Sequence, residues 1–396
     1  MTPLQGLRVL EFGQFIAGPF CGQLLADFGA DVVKIEPPGS GDAMRQWGRT
    51  DAEGRTLWWP VIARGKRSFT LDLRKPEGQA LARDLAREAD IVVENFRVGR
   101  MEEWGLGYAD LRAVNPGIIM VRVTGYGQSG PYAERAGFAS VCEAMGGMRY
   151  IAGHPDRPPV RAGISIGDTL AGQLGFQGAL LALQHRARTG EGQEVDAAIY
   201  EAVLGVMEAL VTEYDAGGHI RERSGSILPG IAPSNVYPTA DGVPVIIGAN
   251  GDNLFRRLAD VMERPELAAD ERFRDHKARG RHQELLDDII GAWTATKEAQ
   301  WLVDRLAEVG VPAGLTYRAP EMLADPHFSA REAIVRVEDP ALGSIAMPGV
   351  FPKLSASPGA IRHTGPALGE HTDAVLGEWL GWDAGRIAEA RESGIV

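Results

Sequence analysis

The segment RAGISIGDTLAG, residues 161–172, contains two candidate nucleophiles three residues apart. Ser165 lies within GISIG (163–167), which matches the G-x-S-x-G pattern of serine hydrolases. Asp168 follows this pattern directly. A serine needs a neighbouring base to attack a carbonyl group, whereas an aspartate is already ionised at neutral pH. The segment therefore leaves three interpretations open: catalysis by the serine, catalysis by the aspartate, or no catalytic role for either side chain.

The polarity pattern around these residues favours the aspartate as the better placed side chain. Residues 161–167 alternate between polar or glycine positions and apolar ones, which predicts a strand. Ser165 would then lie inside the strand, although the serine of a hydrolase must lie on a sharp turn. Asp168 is expected at the end of the strand, before a helix that begins near Thr169. From the residues alone, an N-cap without a catalytic role is the favoured interpretation of Asp168.

Loops rich in glycine and arginine follow four of the predicted strands, at residues 13–19, 37–42, 74–78 and 96–100. If these strands are parallel, the loops share the edge at which ligands of such sheets bind. Their glycines allow a close backbone approach, and their cations suit phosphate groups; these cations are Arg74, Lys75, Arg97 and Arg100. Solvated surface arginines are the alternative interpretation.

Other ligand motifs are weak or missing in the sequence. The turn after the first strand contains Gly13 and Gly18 without the G-x-G-x-x-G pattern, so a dehydrogenase with Glu36 on a ribose is a weak alternative. GANGDN (248–253) fits an ordinary turn between a strand and a helix. The chain has no G-x-x-x-x-G-K-[ST] and no H-E-x-x-H motif. We therefore expect neither an ATP site nor a metal site.

The composition of the 396-residue chain is that of a soluble globular protein, with 44% hydrophobic and 24% charged residues. A net charge of -12 without a compensating basic run argues against nucleic-acid binding. Cys21 and Cys142 provide no disulfide framework, which suits a reducing cytosol. The first residues lack a signal-peptide pattern, and no apolar run approaches the roughly 18 residues of a membrane span. We expect a cytoplasmic protein.

Alternating strand and helix patterns predict an α/β fold with a doubly wound parallel sheet. The predicted strands of the first half are 7–12, 30–36, 68–73, 90–95 and 117–125, and EVDAAI (194–199) adds another. Helices are expected from Pro19 to about Phe28, from about 169 to 188 and from Glu201 to Tyr214. A glycine- and proline-rich passage, 217–234, then marks the main boundary. We predict a large domain at 1–224, with a linker helix from about 200, a smaller α/β domain at 225–330, and a segment at 331–396 that returns to the large domain.

Motifs along nearly the whole chain resemble the family III coenzyme A transferases, the group that contains formyl-CoA and carnitine CoA-transferases. The matching segments are LRVLEFGQFIAGPFCGQLLADFGADVVKIEPPGSGD (7–42), KRSFTLDLRKPEG (66–78), DIVVENFRVG (90–99), NPGIIMVRVTGYGQSGP (115–131), GISIGDTLAG (163–172), TGEGQEVDAAIYEA (189–202) and GEHTDAVL (369–376). In this resemblance Asp168 aligns with the family nucleophile. It implies exchange of one CoA thioester for another through aspartyl intermediates, with acyl-CoA as a substrate and no permanent cofactor.

The resemblance also implies the residues that bind CoA and the acid. Those expected around CoA are Gln14, Phe15, Ala17, Leu71, Asp72, Leu73, Arg74, Asn95, Phe96, Arg97, Arg135 and Phe138. Arg45 and Gly230, the latter within GSILPGIAPS (225–234), are expected at the acid. On physical grounds Arg45 is one candidate to hold a second carboxylate bidentately, and a surface arginine is the alternative interpretation.

Three departures from relatives refine the expected activity. Pro37 and Glu103 replace arginines of formyl-CoA transferase, so phosphate contacts differ, and GSILPGIAPS replaces its run of glycines. The sequence is thus closer to members that act on dicarboxylic acids, with succinyl-CoA as a donor. Racemases of the same fold pair the aspartate with a histidine, where this chain has Phe138, so a racemase is the runner-up to a transferase, ahead of a dehydrogenase. The family fold implies a Rossmann-like large domain, a small domain and a homodimer of interlinked rings.

Overall fold

The apolar runs of the first half form a six-stranded parallel sheet in the computed structural model, which describes residues 2–396. The strands are β1 (Arg8–Glu11), β2 (Asp31–Glu36), β3 (Lys66–Thr70), β4 (Ile91–Glu94), β5 (Ile119–Thr124) and β6 (Glu194–Ala198). Their order is β3-β2-β1-β4-β5-β6, and each neighbouring pair is parallel. This is a strand order of doubly wound sheets, so the predicted α/β class is confirmed.

The helices are distributed along the whole chain. They are α1 (Ala17–Asp27), α2 (Trp59–Ile62), α3 (Pro76–Arg87), α4 (Arg100–Glu103), α5 (Tyr108–Val114), α6 (Ala139–Met145), α7 (Met148–Ile151), α8 (Ile166–Thr189), α9 (Ile199–Leu204), α10 (Leu210–Gly217), α11 (Asp252–Val261), α12 (His276–Arg281), α13 (Gln283–Thr294), α14 (Ala299–Glu308), α15 (Ala319–Ala324), α16 (Pro326–Ala330), α17 (Thr372–Leu380) and α18 (Ala384–Glu392). Two 3₁₀ turns, Ala43–Arg45 and Pro265–Ala268, lie between them.

The parallel sheet is covered on both faces, because successive residues of a strand point to opposite sides. On one face Val9, Val32 and Val121 belong to a core that includes residues of α1 and α8. On the other face Leu10 and Val33 belong to a core that includes residues of α3 and α17. The two cores explain why these strands are apolar at nearly every position, as expected of a parallel sheet.

Two compact units divide the chain. The first contains Met1–Arg149, Ala162–Leu210 and His327–Val396, with the parallel sheet and a hairpin of β10 (Ile334–Asp339) and β11 (Gly343–Pro348). The second contains Tyr150–Arg161 and Val211–Pro326. It holds an antiparallel sheet of β7 (Ser234–Tyr237), β8 (Val245–Gly248) and β9 (Ala313–Leu315). The domain boundaries at 225 and 330 stay predictions.

One predicted helix is interrupted in the structure, so the prediction of a continuous helix is wrong. The sequence predicted a single helix from Glu201 to Tyr214, whereas α9 ends at Leu204 and α10 begins at Leu210. Between them Glu208 has a φ of 54°, in the left-handed region that a right-handed helix cannot contain. The apolar residues before and after this break are spaced as in one continuous helix, so the polarity pattern did not reveal the break.

Candidate active site

Asp168 lies in the first turn of α8, a helix of 24 residues. It is the third helical residue and half-buried. The N-cap position belongs to Ser165, so the interpretation of Asp168 as an N-cap is wrong. A carboxylate in the first turn interacts favourably with the partial positive charge at a helix N-terminus. The fold thus presents this carboxylate at the end of a long and otherwise mostly apolar helix.

The predicted strand before Asp168 is also wrong, because residues 160–165 form no strand and the helix begins at Ile166. Gly163 has a φ of 80°, which is incompatible with an extended strand. At the helix start, the backbone N–H and the hydroxyl of Thr169 both donate to the carbonyl of Ser165, at 3.0 and 2.9 Å. The alternating polarity of this segment therefore reflects a loop and a first helical turn.

The loop after β1 brings several of the predicted CoA residues together. The backbone N–H of Gln14 donates to the Asn95 side chain, whose amide donates to the Gln14 carbonyl, both at 2.8 Å. Phe15 has a φ of 63° and donates its backbone N–H to Asp42 at 3.3 Å. Ala17 then begins α1. Side chains from two other loops thus fix a strained backbone at this edge of the sheet.

The same loop lies against the helix that carries Asp168. Gly172 of α8 is one turn after Asp168, and a Cβ atom at this position would be 2.6 Å from the carbonyl oxygen of Ala17. Only a glycine permits so close an approach of the two helices. The structure therefore places the start of α1 beside the first turns of α8.

The residues expected near the adenine and phosphates lie at the carboxyl ends of β3 and β4. Leu71 is buried, and Leu73 and Phe96 pack as partly buried residues against the same core. Asp72 pairs with Arg74 at 2.8 Å, and the Arg74 side chain is 82% exposed. Arg97 is also exposed. Because β3 and β4 are parallel, both arginines lie at one edge of the sheet.

Two further predicted contacts lie beyond β5. Arg135 places its guanidinium 3.7 Å from the ring centroid of Tyr132, in an exposed segment. Phe138 is 55% exposed and precedes α6. In the second unit, Gly230 has a φ of 80° and donates its backbone N–H to Gln283 at 3.1 Å. The predicted CoA contacts of Arg135 and Phe138, and the predicted place of Gly230 at the acid, stay predictions.

Arg45 has structural partners within the first unit. Its guanidinium donates to both carboxylate oxygens of Glu36, at 2.7 and 2.8 Å, and to the carbonyl of Pro366 at 3.1 Å. It also lies 3.8 Å from the ring centroid of Trp59. Burial alone would raise the pKa of Glu36, but the hydrogen bond from Arg45 and the charge of Lys34 hold it below its ordinary value. The Glu36 carboxylate is therefore ionised and bound, and we leave Arg45 out of the acid site proposed below.

A buried cluster of charges supports the loop after β1, and sequence reasoning missed it. Lys34 pairs with Glu11 at 2.9 Å and with Asp42 at 2.8 Å, and it donates to the carbonyl of Gly13 at 2.7 Å. Lys66 pairs with the second oxygen of Glu11 at 2.7 Å. All four charged side chains are at most 2% exposed. The signal in the sequence that could have indicated this cluster is the presence of Glu11, Lys34 and Lys66 within otherwise apolar strands.

Protonation within this cluster follows from its geometry. Burial alone would lower the pKa of Lys34, but the negative charges of Glu11, Asp42 and Glu36 raise it above its ordinary value. Burial would likewise raise the pKa of Asp42, but the Lys34 ammonium holds it below the usual range. The pair is therefore ionised, and Asp42 can accept the backbone N–H of Phe15 as a carboxylate.

Comparison with known proteins identifies the family. The sequence profile described as CoA-transferase family III matches residues 4–372. The chain belongs to CoA-transferase family III. This member is 60% identical to the succinyl-CoA–D-citramalate CoA-transferase of Chloroflexus aurantiacus over 96% of this chain and 94% of that protein. It is 43% identical to the succinyl-CoA–L-malate CoA-transferase beta subunit of the same organism, over 100% of this chain and 98% of that protein.

A solved structure shares the fold of this family III transferase. A CAIB/BAIF family protein from Brucella suis has a TM-score of 0.85 and 37% identity, covering 96% of this chain and 99% of that one. The enzyme class predicted from the sequence is therefore confirmed, and the comparisons favour neither the racemase nor the dehydrogenase alternative.

Residues 2–396 contain neither a candidate metal cluster nor a candidate membrane-spanning helix. No group of three or more histidine, cysteine, aspartate or glutamate side chains in this range is arranged to hold a metal ion. None of the helices there combines the length and the apolar character that a membrane crossing requires.

Proposed function

We propose that this family III CoA-transferase moves CoA from succinyl-CoA to a small dicarboxylic acid through covalent intermediates on Asp168. The observation that carries the proposal is the Asp168 carboxylate in the first turn of α8, beside the start of α1 and the loop with Gln14. The partial positive charge at a helix N-terminus favours a carboxylate in the first turn. The same partial charge is suited to stabilise the oxyanion that forms when a thioester is attacked.

The reaction proceeds in balanced exchanges of acyl groups. The Asp168 carboxylate attacks the thioester carbonyl of the donor, which gives a mixed anhydride and CoA thiolate. The thiolate attacks the aspartyl carbonyl, so the donor acid leaves and an aspartyl-CoA thioester remains. The acceptor carboxylate attacks this thioester and releases the thiolate, which then attacks the acceptor carbonyl of the new anhydride. The new acyl-CoA departs and the Asp168 carboxylate is restored. One thioester replaces another, so ATP is not consumed.

The proposed substrates follow from the names of the relatives. Two of them transfer CoA from succinyl-CoA, one to D-citramalate and one to L-malate. Both acceptors have a four-carbon dicarboxylic backbone with a hydroxyl group next to one carboxylate, and citramalate carries one further methyl group. We propose an acceptor of this chemical class for the chain, with CoA bound by the loops that follow β1, β3 and β4.

We also propose that the chain works as a homodimer. Large apolar side chains are exposed on the first unit, among them Leu181 at 72% and Val206 at 51%. Leu174, Leu180 and Leu204 are each more than a third exposed as well. Contiguous exposed apolar surface is typical of protein interfaces. A second copy of the chain would cover these side chains, and the size of the protein in solution tests this directly.

Asp168→Asn tests the proposed nucleophile. The substitution keeps the size of the side chain and removes its charge, so we expect CoA transfer to fall by at least about 10³-fold. Removal of one charge from a helix start costs only about 0.3–1 kcal/mol of stability, so the variant should fold. Ser165→Ala is the matched control and should keep most of the activity. A folded Asp168→Asn variant with near-normal turnover, or a folded and inactive Ser165→Ala variant, would refute the assignment.

A further inference from the structure

A buried carboxylate faces the helix turn that carries Asp168. Glu143 of α6 is 2% exposed, and its Oε1 atom accepts the backbone N–H of Gly167 at 3.3 Å. Its Oε2 atom accepts a hydrogen bond from Arg149 at 2.8 Å. A buried carboxylate is costly unless it is paired and hydrogen-bonded, as this one is. Both of its oxygen atoms are therefore committed, one of them to the residue before Asp168.

The contact between Glu143 and α8 is close enough to require a glycine. A Cβ atom at Gly167 would be 2.9 Å from Cγ of Glu143 and 3.1 Å from Cγ2 of Ile199. The φ of Gly167 is not in the left-handed region, so the reason for the glycine is space. The first turn of α8 thus rests on the Glu143 side chain.

A buried thiol, Cys142, precedes Glu143 in α6. Burial raises the pKa of Cys142 to about 11, and the charges of Asp168 and Glu143 contribute in the same direction. Glu143 reaches the turn from α6, whereas Asp168 is part of the turn itself.

We propose that Glu143 is a positioning residue, which fixes the first turn of α8 through the Gly167 N–H and so holds the Asp168 carboxylate in its attacking orientation. This inference rests on the proposed function, because it requires Asp168 to be the nucleophile. Glu143 does not contact the substrate and takes no part in bond making. A misplacement of the nucleophile by about 1 Å costs about 10²-fold in rate, so a single lost contact of this kind has a large kinetic effect.

The test measures the covalent step separately from binding. Wild type, Glu143→Ala and Glu143→Gln are mixed with succinyl-CoA, quenched with acid and examined for the enzyme–CoA adduct by intact mass. We expect Glu143→Ala to form the adduct about 10- to 100-fold more slowly than wild type. Glu143→Gln keeps an oxygen that accepts the Gly167 N–H, so its rate should stay within about fivefold of wild type. The affinity for free CoA, measured by calorimetry, should be unchanged in both.

Gly167→Ala perturbs the same contact without removing the carboxylate. The added methyl group displaces Glu143, so this variant should also form the adduct slowly while it binds free CoA normally. It keeps the test decisive if Glu143→Ala does not fold. Glu308→Ala, at an exposed position in the last turn of α14, is the matched control and should react like wild type.

Three results would overturn the inference. Adduct formation at the wild-type rate in Glu143→Ala or in Gly167→Ala would show that the contact does not position Asp168. Equal slowing in Glu143→Gln and Glu143→Ala would show that the hydrogen bond to Gly167 is not the cause. A parallel loss of CoA affinity would show a general structural role. Absence of the adduct in the wild type would instead refute the proposed function itself.

Discussion

Replacing Lys34 with methionine should destabilise the parallel sheet by about 3–5 kcal/mol, the range for removing one partner of a buried ion pair. The Lys34 side chain is 2% exposed and serves two carboxylates and one carbonyl. Glu11 would keep Lys66 as its partner, so Asp42 is the carboxylate left without its ion pair. Asp42 also accepts the backbone N–H of Phe15, so we expect weaker binding of CoA at this loop.

The same substitution at an exposed lysine provides the control for Lys34→Met. Lys353 is 3.6 Å from Glu332, and both side chains are more than a third exposed, so Lys353→Met should cost less than about 1 kcal/mol. Hydrogen exchange at the amides of β1 and β2 measures the local stability of the sheet, without requiring two-state unfolding of a chain with two units. If Lys34→Met lowers the opening free energy there by no more than Lys353→Met does, the buried cluster does not stabilise the sheet as we infer.

Three further predictions concern thiol reactivity, helix packing and acid stability. At pH 8 both cysteines should resist thiol reagents in the native protein, because a pKa of about 11 leaves roughly one Cys142 in a thousand as thiolate; rapid labelling of the native protein would contradict this. Gly172→Ala should destabilise by about 1–3 kcal/mol in thermal unfolding through its clash with α1, whereas Gly217→Ala, with no atom within 4 Å, should be nearly neutral. Because the folded pKa of Asp42 lies below its ordinary 3.8, the stability from its ion pair is present above that pH and is lost as the pH falls through the folded pKa. Asp42→Asn should therefore lose stability at pH 7 and show a weaker dependence on acid, and an unchanged acid titration would refute that assignment.

The sequence predicted the parallel sheet well, because its strands are apolar runs bounded by turns. The predicted strands at 30–36 and 90–95 became Asp31–Glu36 and Ile91–Glu94. The start of α8 could not be predicted in this way. Its preceding segment alternates in polarity like a strand, and only the backbone angle of Gly163 shows that it is a loop.

The candidate nucleophile was assigned to Asp168 by family resemblance, since the residue pattern alone favoured an N-cap. Side-chain contacts between different segments of the chain were harder to predict from the sequence. The ion pair of Arg45 with Glu36 was not predicted, and the role of Arg45 at the acid stays a prediction. The hydrogen bond from the Gly167 N–H to Glu143 joins residues 24 positions apart and leaves no periodic signal in the sequence.

The most direct test of the central claim is to locate the covalent CoA. The enzyme is mixed with succinyl-CoA, quenched in acid during turnover and cleaved with trypsin, and peptide 162–186, which contains both Ser165 and Asp168, is fragmented in a mass spectrometer. We expect CoA on Asp168, removable by hydroxylamine as a thioester. An adduct on Ser165 or on any other residue, or turnover without an adduct on this peptide, would contradict it.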